Sequence, residues 1–397
     1  MPCQARAPGV SATGSGPPAG DGRRTKAGMT TVSTGTAGTL HIDLHAVAAN
    51  YRTLAGQIGS ARCGAVVKAD AYGLGAVPVA RALAEAGCRH FFVAHLCEGL
   101  EVRPALPDDA SVFVMHGLNP GDEPACAAQA IVPVLNSLDQ VDRWAAQARA
   151  QNRPLPAALQ ADTGMSRLGL SAEELDVLDK EPHRLGGLSV ILVMSHLACA
   201  DVPADFFTQT QLARFDAFAA RFPGAARSID NSGGTYVTRP DHGDIARPGM
   251  ALYGGEVREG VPTLARVATL NARIIQLRTV EAGTGVGYGL THRTAKTTRL
   301  ATISAGYADG WPRSLSSRGA VFIGGVEAPI LGRVSMDSTI VDVSDVPEDA
   351  LYPGAPVELI GPNQSAERVA ELAGTLSYEI FTRLGHRYTR VYTNEQA

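Results

Sequence analysis

The sequence has few of the features that mark a disulfide-linked, metal-binding or membrane-spanning protein. Its six cysteines form no Cys-x-x-Cys pair, and most of them stand in or beside apolar runs. This usage is typical of reduced, buried thiols and argues against a disulfide framework or a zinc site, so we predict no metal. The longest apolar run, near GLSVILVMSHLACA, is too short to cross a bilayer.

A strong charge bias is also missing. The formal net charge is −4, and acidic and basic side chains are interspersed along the chain. That distribution argues against a nucleic-acid partner and against binding to a membrane surface. Hydrophobic residues make up 45% and charged residues 19% of the 397 residues, which is the balance of a globular protein of about two domains.

Large apolar side chains are almost absent from residues 1–38, which are rich in Gly, Ala, Ser, Thr and Pro. This composition predicts a disordered N-terminal extension. The pair Arg23-Arg24 suggests a twin-arginine export signal, but no apolar segment follows it, and we reject that interpretation. Met29 is a candidate alternative start. With reduced cysteines and no export signal, we expect a cytoplasmic protein.

Residues 39–266 repeat one pattern, in which a short run rich in Val, Ile and Leu precedes a turn and an amphipathic helical stretch. The runs CGAVVKA, HFFVAH and SVFVMHG are apolar on both faces, and helical spacing follows, for example over 138–150 and 208–221. This alternation predicts an α/β fold of parallel βα units. About eight such units favour a (β/α)8 TIM-type barrel. A doubly wound open sheet is the alternative, although the dinucleotide fingerprint G-x-G-x-x-G is absent.

The pattern changes near residue 266. Short β-rich runs such as ARIIQLRTV, TTRLATISA and STIVDVS follow, and Gly, Pro and Asp separate them. This pattern predicts a mainly β C-terminal domain over 267–397, with one helix over 365–373.

Lys68 stands in AVVKADAYGLG, where a short buried strand ends at a turn. A lone lysine after an apolar run usually marks the point at which a strand leaves the core. The alternative is a lysine at the mouth of a barrel that forms imines, because burial and a cationic neighbour lower the pKa of its amine. The local pattern leaves both interpretations open.

Polar side chains follow other predicted barrel strands at the end where barrels carry their active sites. Arg167 follows the run PAALQADTGM, His196 follows ILVMS, and Arg247 follows DIA. Each has an ordinary alternative, since arginines form surface ion pairs and buried histidines are often simply hydrogen-bonded in a core. One by one, these signals are weak.

Two glycine-containing segments follow late barrel strands. Ser232, with Gly233 and Gly234, can offer a hydroxyl and unhindered amides to an anion, and the amides of Gly249 and Met250 can do the same. Late-strand loops are where barrels commonly bind phosphate. A lysine, a phosphate cradle, an imidazole and two guanidiniums together fit a phosphate-bearing aldehyde, and pyridoxal phosphate (PLP) is the usual one.

Nine motifs in this chain resemble those of the alanine racemase family, which are fold-type III PLP enzymes. In chain order they are AVVKADAYGLG, DTGMSRLG, MSHLACAD, NSGG, RPGMALYG, VGYG, AGYADGWPR, LGRVSMD and SYEIFTRLGHRY. The resemblance extends from about residue 39 to about residue 392. It implies pyridoxal 5'-phosphate as cofactor, interconversion of L-alanine and D-alanine, D-alanine supply for peptidoglycan, and a homodimer with shared active sites.

The resemblance also implies roles for single residues. Lys68 is implied as the Schiff-base lysine and one acid–base group, and Tyr288 of the partner subunit as the other. Arg167 and the partner's Met336 are implied to contact the substrate carboxylate. The residues implied to hold the cofactor are Lys68, Tyr72, His196, Ser232, Arg247, Gly249, Met250 and Tyr378. Tyr307 and Asp201 are implied to shape the entrance.

The implied pair of acid–base groups suits racemisation, which removes the α proton from one face and returns a proton to the other. Lysine and tyrosine have matched ordinary pKa values of about 10.4 and 10, so either can act as base or acid. Those values are roughly three units too high for a base at neutral pH, which amounts to about 4 kcal/mol that the site must supply. We expect Arg247 and His196 to stabilise the Tyr288 phenolate through a hydrogen-bonded relay. Arg247 stays charged and only donates, so the pyridine nitrogen it faces should stay unprotonated.

One position departs from the family pattern. Members often carry a lysine two residues before the DTGM motif, which orients the substrate arginine, and this chain has Gln160 there. A neutral amide can accept a hydrogen bond from Arg167, but it supplies no charge.

Alternatives to an alanine racemase are a broad-specificity racemase acting on serine as well, a PLP-dependent decarboxylase of similar architecture, and a non-catalytic PLP-binding protein. The motifs around Tyr288 argue against the decarboxylase, and the second domain argues against the non-catalytic protein.

Overall fold

A computed structural model of the chain describes residues 35–200, 202, 206–237, 241–255 and 264–393. Nearly all of the predicted disordered extension lies outside the described residues, and so does Asp201.

The N-terminal part of the chain forms a parallel barrel. Its strands are β2 (Arg62–Cys63), β3 (Ala65–Val66), β4 (His90–Val93), β5 (Ser111–Val114), β6 (Val132–Leu135), β7 (Leu155–Gln160), β8 (Leu188–Met194), β9 (Ala226–Ser228) and β10 (Ile245–Ala246). Strands β3 to β9 pair in sequence order, each parallel to the next.

Backbone hydrogen bonds close this sheet on itself. β2 pairs with β10 in parallel, and the amide of Asp244 donates to the carbonyl of Arg227 across 2.8 Å, which joins β10 to β9. β2 and β3 act as one strand interrupted at Gly64, whose amide donates to Ala246 on β10 at 2.8 Å. This closure confirms the predicted (β/α)8 barrel and rules out the doubly wound open sheet.

Helices and short turns connect the barrel strands and continue into the C-terminal part. They are α1 (Leu44–Gln57), α2 (Lys68–Gly73), α3 (Ala76–Glu85), α4 (Leu96–Val102), α5 (Glu123–Ala128), α6 (Leu138–Ala150), α7 (Ala172–Lys180), α8 (Phe206–Ala219), α9 (Ala366–Ala373) and α10 (Ser377–Thr382).

Side-chain caps explain where several of these helices begin. Asp43 accepts the amide of Ala46 at the start of α1, and Ser137 accepts that of Gln140 at the start of α6. Such caps satisfy amides that the first turn of a helix leaves without partners. The helix that the sequence predicts over 138–150 is α6 of the structure.

The C-terminal part is mainly β, as predicted. Its strands are β11 (Ala268–Val280), β12 (Gly285–Val286), β13 (His292–Arg293), β14 (Thr298–Ile303), β15 (Ala320–Ile323), β16 (Val326–Pro329), β17 (Thr339–Asp342), β18 (Pro356–Ile360) and β19 (Tyr388–Thr393). β11 is the longest and pairs with β14, with β18 and with the first strand of the chain.

The first strand, β1 (Gly38–Asp43), joins this C-terminal sheet and not the barrel. It lies between β11, to which it is antiparallel, and β19, to which it is parallel. The sequence placed this strand at the start of the barrel domain, because its alternation of apolar residues carries no information about its partner. Since β2 pairs with β10 and β3 pairs with β4, the barrel closes without it.

Truncating Leu40 on β1 should destabilise the fold, because this side chain is fully buried and β1 is an interior strand of the C-terminal sheet. We expect Leu40→Ala to lower the free energy of unfolding by about 2–5 kcal/mol in a denaturant titration. His41→Ala on the exposed face of the same strand is the control, with a change of about 0.5 kcal/mol or less. Equal effects of the two substitutions would contradict the burial of this face of β1 between β11 and β19.

Candidate active site

One cavity of about 1040 Å³ opens at the carboxyl ends of the barrel strands, between the barrel and helices α9 and α10. Nine of the residues singled out from the sequence line it: Lys68, Tyr72, Arg167, His196, Ser232, Arg247, Gly249, Met250 and Tyr378. They come from strands far apart in sequence, and the barrel gathers them because parallel strands end on one side.

The backbone after Lys68 is left-handed. The four residues Ala69 to Tyr72 have φ between 50° and 57° and ψ between 37° and 50°. Each such residue costs roughly 1–2 kcal/mol for an L-amino acid. The Asp70 carboxylate accepts the amide of Ala76 at 2.6 Å, and its carbonyl accepts that of Gly75 at 2.9 Å, which helps to hold the turn. The turn places Lys68 and Tyr72 on the same cavity.

Two glycines let the C-terminal part pack on this turn. At Gly73, with φ +84°, a Cβ would lie 2.4 Å from the carbonyl oxygen of Phe381 on α10. Gly75, with φ +98°, leaves even less room beside the Tyr392 hydroxyl on β19. The Arg390 guanidinium also donates to the Gly73 carbonyl at 2.9 Å. The lysine turn is therefore held between the barrel and the β part of the chain.

The amine of Lys68 is easier to deprotonate than an ordinary lysine. Burial lowers its pKa, and the Arg167 and Arg247 guanidiniums lower it further, while the Glu98 carboxylate acts in the opposite direction. A lowered lysine pKa is the condition for a nucleophilic or basic amine near neutral pH.

Arg247 is almost fully buried beneath the cavity. Its guanidinium donates to the Ser195 carbonyl at 2.6 Å and also to the Ser228 hydroxyl. Burial lowers its pKa to about 10, and the buried Asp230 carboxylate counteracts that effect. At neutral pH the group therefore stays protonated and can only donate hydrogen bonds.

His196 follows β8 and is held as a neutral ring. Burial, followed by the charges of Arg247, Arg167 and Lys68, lowers its pKa from 6.5 to about 3. The side-chain amide nitrogen of Asn231 lies 3.4 Å from Nε2 of the imidazole, which assigns that nitrogen as the acceptor. A neutral, flat ring beside the cavity is suited to stacking on an aromatic group.

An anion cradle is formed by the loops after β9 and β10. The hydroxyl oxygen of Ser232 accepts the amides of Gly249 at 2.9 Å and Ala251 at 3.3 Å, so two backbone donors converge beside the cavity. A Cβ on residue 249 would lie 2.4 Å from the hydroxyl of Tyr72, so a larger residue there would have to displace the Tyr72 ring. The ring of Tyr378 lies 6.1 Å from that of Tyr72. A serine hydroxyl that two amides hold in place, with phenols nearby, suits a phosphate, because hydroxyls and phenols can donate hydrogen bonds to its oxygens.

Arg167 lies on an exposed loop that Asp162 shapes by accepting the amides of Gly164 and Ser166 at 2.8 and 3.1 Å. Its guanidinium forms no hydrogen bond or ion pair within the described residues, and it faces the cavity. Gln160 ends β7 and is buried, and although both line one small cleft, no hydrogen bond joins them. The bond we considered between them is thus not formed.

Three residues implied by the resemblance lie away from this cavity. The exposed fractions of Tyr288, Met336 and Tyr307 are 71%, 53% and 42%, and none of them lines the cavity. Tyr307 and Met336 lie together, because the amide of Ala308 donates to the carbonyl of Met336 at 2.9 Å. Within one chain, the tyrosine that the resemblance implies as the second acid–base group therefore does not line the cavity that holds Lys68.

Two polar residues at the site were not identified from the sequence. The buried Gln211 on α8 bonds to the carbonyl of His196 at 2.9 Å and the amide of Ala198 at 2.8 Å, and so fixes the segment that carries His196. Glu98 accepts the amide that follows Lys68 at 2.6 Å. The spacing of Glu98 from His95 signals a helix start, but no sequence signal indicates either long-range contact.

A closed (β/α)8 barrel joined to a β part, with a lysine, a neutral histidine and an anion cradle around one cavity, defines a lysine-dependent barrel enzyme. The alanine racemase N-terminal domain model matches residues 42–257, and the alanine racemase C-terminal domain model matches residues 267–392. The chain therefore belongs to the alanine racemase family, and the resemblance seen in the motifs is confirmed.

Individual proteins that are similar to this chain are also alanine racemases. The chain is 52% identical over 359 residues to a catabolic alanine racemase of Agrobacterium fabrum, covering 90% of this chain and 92% of that protein. It is 49% identical over 369 residues to an alanine racemase of Brucella abortus, covering 89% and 93%. The crystal structure of the Bartonella henselae alanine racemase with covalently bound pyridoxal phosphate superposes with a TM-score of 0.86 at 41% identity, covering 90% of this chain and all of that one. No helix among the described residues is long and apolar enough to cross a membrane.

His196 should stay neutral over the physiological pH range. Because its folded pKa lies near 3 and its ordinary value is 6.5, the unfolded chain binds the extra proton between these values. Protonation in that window therefore destabilises the fold as the pH falls. Imidazole NMR of histidine-labelled protein, with His196→Gln to assign the signal, should show no titration between pH 8 and 5. A midpoint near 6.5 would contradict this account.

Proposed function

We propose that this chain is an alanine racemase that interconverts L-alanine and D-alanine with PLP and two acid–base groups. The observation that carries the proposal is that one cavity is lined by a lysine of lowered pKa, by Arg167 and by the anion cradle at Ser232. Family membership and the names of the relatives support the same reaction.

The residues around the cavity fit PLP. The phosphate would be held by Ser232, Gly249, Met250, Tyr72 and Tyr378, the ring face by His196, and the pyridine nitrogen by Arg247. When bound, PLP supplies an aldehyde that links to an amine and a ring that delocalises the charge left by a departing α proton. The Bartonella relative carries that cofactor covalently, which supports the assignment.

In the proposed reaction, Lys68 holds or gives up a proton at Nζ on one face of the substrate. Its lowered pKa makes the free amine available as a base, and the protonated amine then serves as the acid in the reverse direction. Arg167 has no partner among the described residues and is free to bind the substrate carboxylate as a charge-assisted pair. Arg247 keeps its charge and can only donate hydrogen bonds, so the pyridine nitrogen that it would face would stay unprotonated.

We propose that the second group, Tyr288, comes from a partner subunit together with Met336. Both side chains are more than half exposed in one subunit and lie outside its own cavity. Exposed aromatic and methionine side chains are typical of residues at subunit interfaces. A two-fold homodimer that supplies them to each cavity would complete both sites at once.

The cellular use of the reaction is part of the proposal. Because enantiomers have equal free energies, supply and demand set the direction of racemisation. We propose D-alanine supply for peptidoglycan in the cytoplasm, and the Agrobacterium relative, which is named as catabolic, makes alanine breakdown the competing use. We also propose a barrel domain over 39–266, whose first strand β1 pairs in the sheet of the second domain, and a β domain over 267–397. The break between the family models, from 257 to 267, supports this boundary.

Replacing Lys68 should abolish the visible absorption of the lysine-bound cofactor. The purified protein should show this band, and Lys68→Ala should lose it together with all racemase activity, because no other amine lies in the described part of the cavity. The exposed Lys180→Ala on α7 is the control and should keep both. A band that persists in Lys68→Ala would show that the cofactor is bound elsewhere.

Mixing two inactive variants tests the shared site. Tyr288→Phe should keep the visible band but lose racemisation, whereas Tyr352→Phe, with a similarly exposed tyrosine in the β part, should stay active. In a heterodimer of Lys68→Ala and Tyr288→Phe subunits, one of the two sites has both groups intact. Random mixing should therefore restore roughly a quarter of wild-type activity. No restoration on verified subunit exchange, or full activity in a proven monomer, would refute the shared site.

A further inference from the structure

Glu98 connects the end of barrel strand β4 to the lysine turn. Its Oε2 atom accepts the amides of Ala94 at 2.7 Å and His95 at 2.9 Å. Its Oε1 atom accepts the amide of Ala69 at 2.6 Å, and Ala69 directly follows Lys68. One carboxylate thus receives three backbone donors from two neighbouring strand ends.

Helix capping accounts for only part of this arrangement. Glu98 is the third residue of α4, and its bond to the His95 amide is the usual capping-box contact. The bond to Ala69 spans 29 residues and serves a different segment, the first left-handed residue of the lysine turn. An ionised carboxylate is matched to this task because it only accepts hydrogen bonds. A glutamine would turn its NH₂ group toward at least one of these donors.

The charge of Glu98 also matters at the cavity. Lys68 is faced by the guanidiniums of Arg167 and Arg247, and Glu98 is the carboxylate that opposes their effect on its amine. His95 and His116 lie at the neighbouring strand ends, with ring centroids 4.7 Å apart, and His196 lies across the cavity as a neutral ring. Burial, the nearby His95 and the Lys68 charge lower the pKa of His116, so that ring adds little positive charge at neutral pH.

We propose that Glu98 is a positioning residue for Lys68, whose carboxylate both fixes the backbone after the lysine and balances the positive charge of the cavity. The inference rests on the proposed function, because it assigns Glu98 a part in proton transfer at Lys68. Glu98 does not line the cavity, so it acts through the lysine and not on the substrate.

Glu98→Gln in the holoenzyme tests both parts. Removing the negative charge should lower the proton affinity of the Lys68 nitrogen, so the pH midpoint at which the visible band of the lysine-bound cofactor changes should fall by roughly one unit. Releasing the turn should lower kcat by roughly tenfold to a hundredfold, because small displacements of a reacting group are costly. KM for L-alanine should change little, since Arg167 is untouched.

Glu174 offers a matched control. It is the third residue of α7, caps that helix at Ser171, and accepts the amide of Leu138 on a neighbouring element at 3.1 Å, far along the chain from Lys68. Glu174→Gln should therefore lower Tm by an amount similar to Glu98→Gln, while the midpoint of the band and kcat stay at wild-type values. Glu98→Asp separates the two roles, because it keeps the charge but is one methylene shorter. Glu98→Asp should therefore keep the wild-type pH midpoint of the visible band but have a lowered kcat.

The outcomes are distinct. A wild-type protein without the visible band overturns the proposed function and this inference with it. A wild-type protein with the band, whose Glu98→Gln variant matches Glu174→Gln in midpoint and kcat, overturns the positioning role alone and leaves Glu98 as a helix cap. If Glu98→Gln does not fold, Glu98→Asp decides, and a kcat equal to that of Glu174→Gln rejects the proposal.

Discussion

The rest of the site depends on the left-handed turn that follows Lys68. Four successive residues with positive φ are costly, and the surrounding structure maintains them with hydrogen bonds from several elements. The Glu98 carboxylate accepts the amide of Ala69, the first residue of the turn, and Asp70 accepts the amides of Gly75 and Ala76 just beyond it. The guanidinium of Arg390 on the last strand donates to the carbonyl of Gly73. The turn is thereby placed where barrel and β part meet, and it presents a lysine and a tyrosine to one cavity.

Positive charge is the second constraint on this cavity. Lys68, Arg167 and Arg247 face it together, and burial, followed by repulsion among these cations, lowers the pKa of the lysine amine and of His196. Such a concentration of cations is favourable when the ligands are anions, since a cofactor phosphate and a substrate carboxylate each neutralise part of the positive charge in the cavity. The same repulsion that lowers the lysine pKa thus suits the binding of an anionic cofactor and an amino-acid substrate.

The barrel of one chain carries only part of the groups that the proposed reaction needs. Its strand ends gather the lysine, the histidine, the anion cradle and Arg247, while Tyr288 and Met336 stand exposed on the β part of the same subunit. A proposed dimer resolves this separation, because a second copy can bring to each cavity what its own subunit holds elsewhere. Making the site depend on assembly would also keep an isolated subunit from exchanging α protons on both faces.

The sequence by itself determined the barrel, the β part and the residues of the cavity that are proposed to bind the cofactor and the substrate carboxylate. Alternating strands and helices are local patterns, and motifs such as AVVKADAYGLG place Lys68 and Tyr72 without knowledge of their neighbours. Only the tertiary structure decided that β1 pairs with β11 and β19, that Gln160 makes no bond to Arg167, and that Glu98 reaches Ala69. These are contacts between segments far apart in sequence, and periodicity in a single chain encodes which face of an element is buried but not which partner covers it.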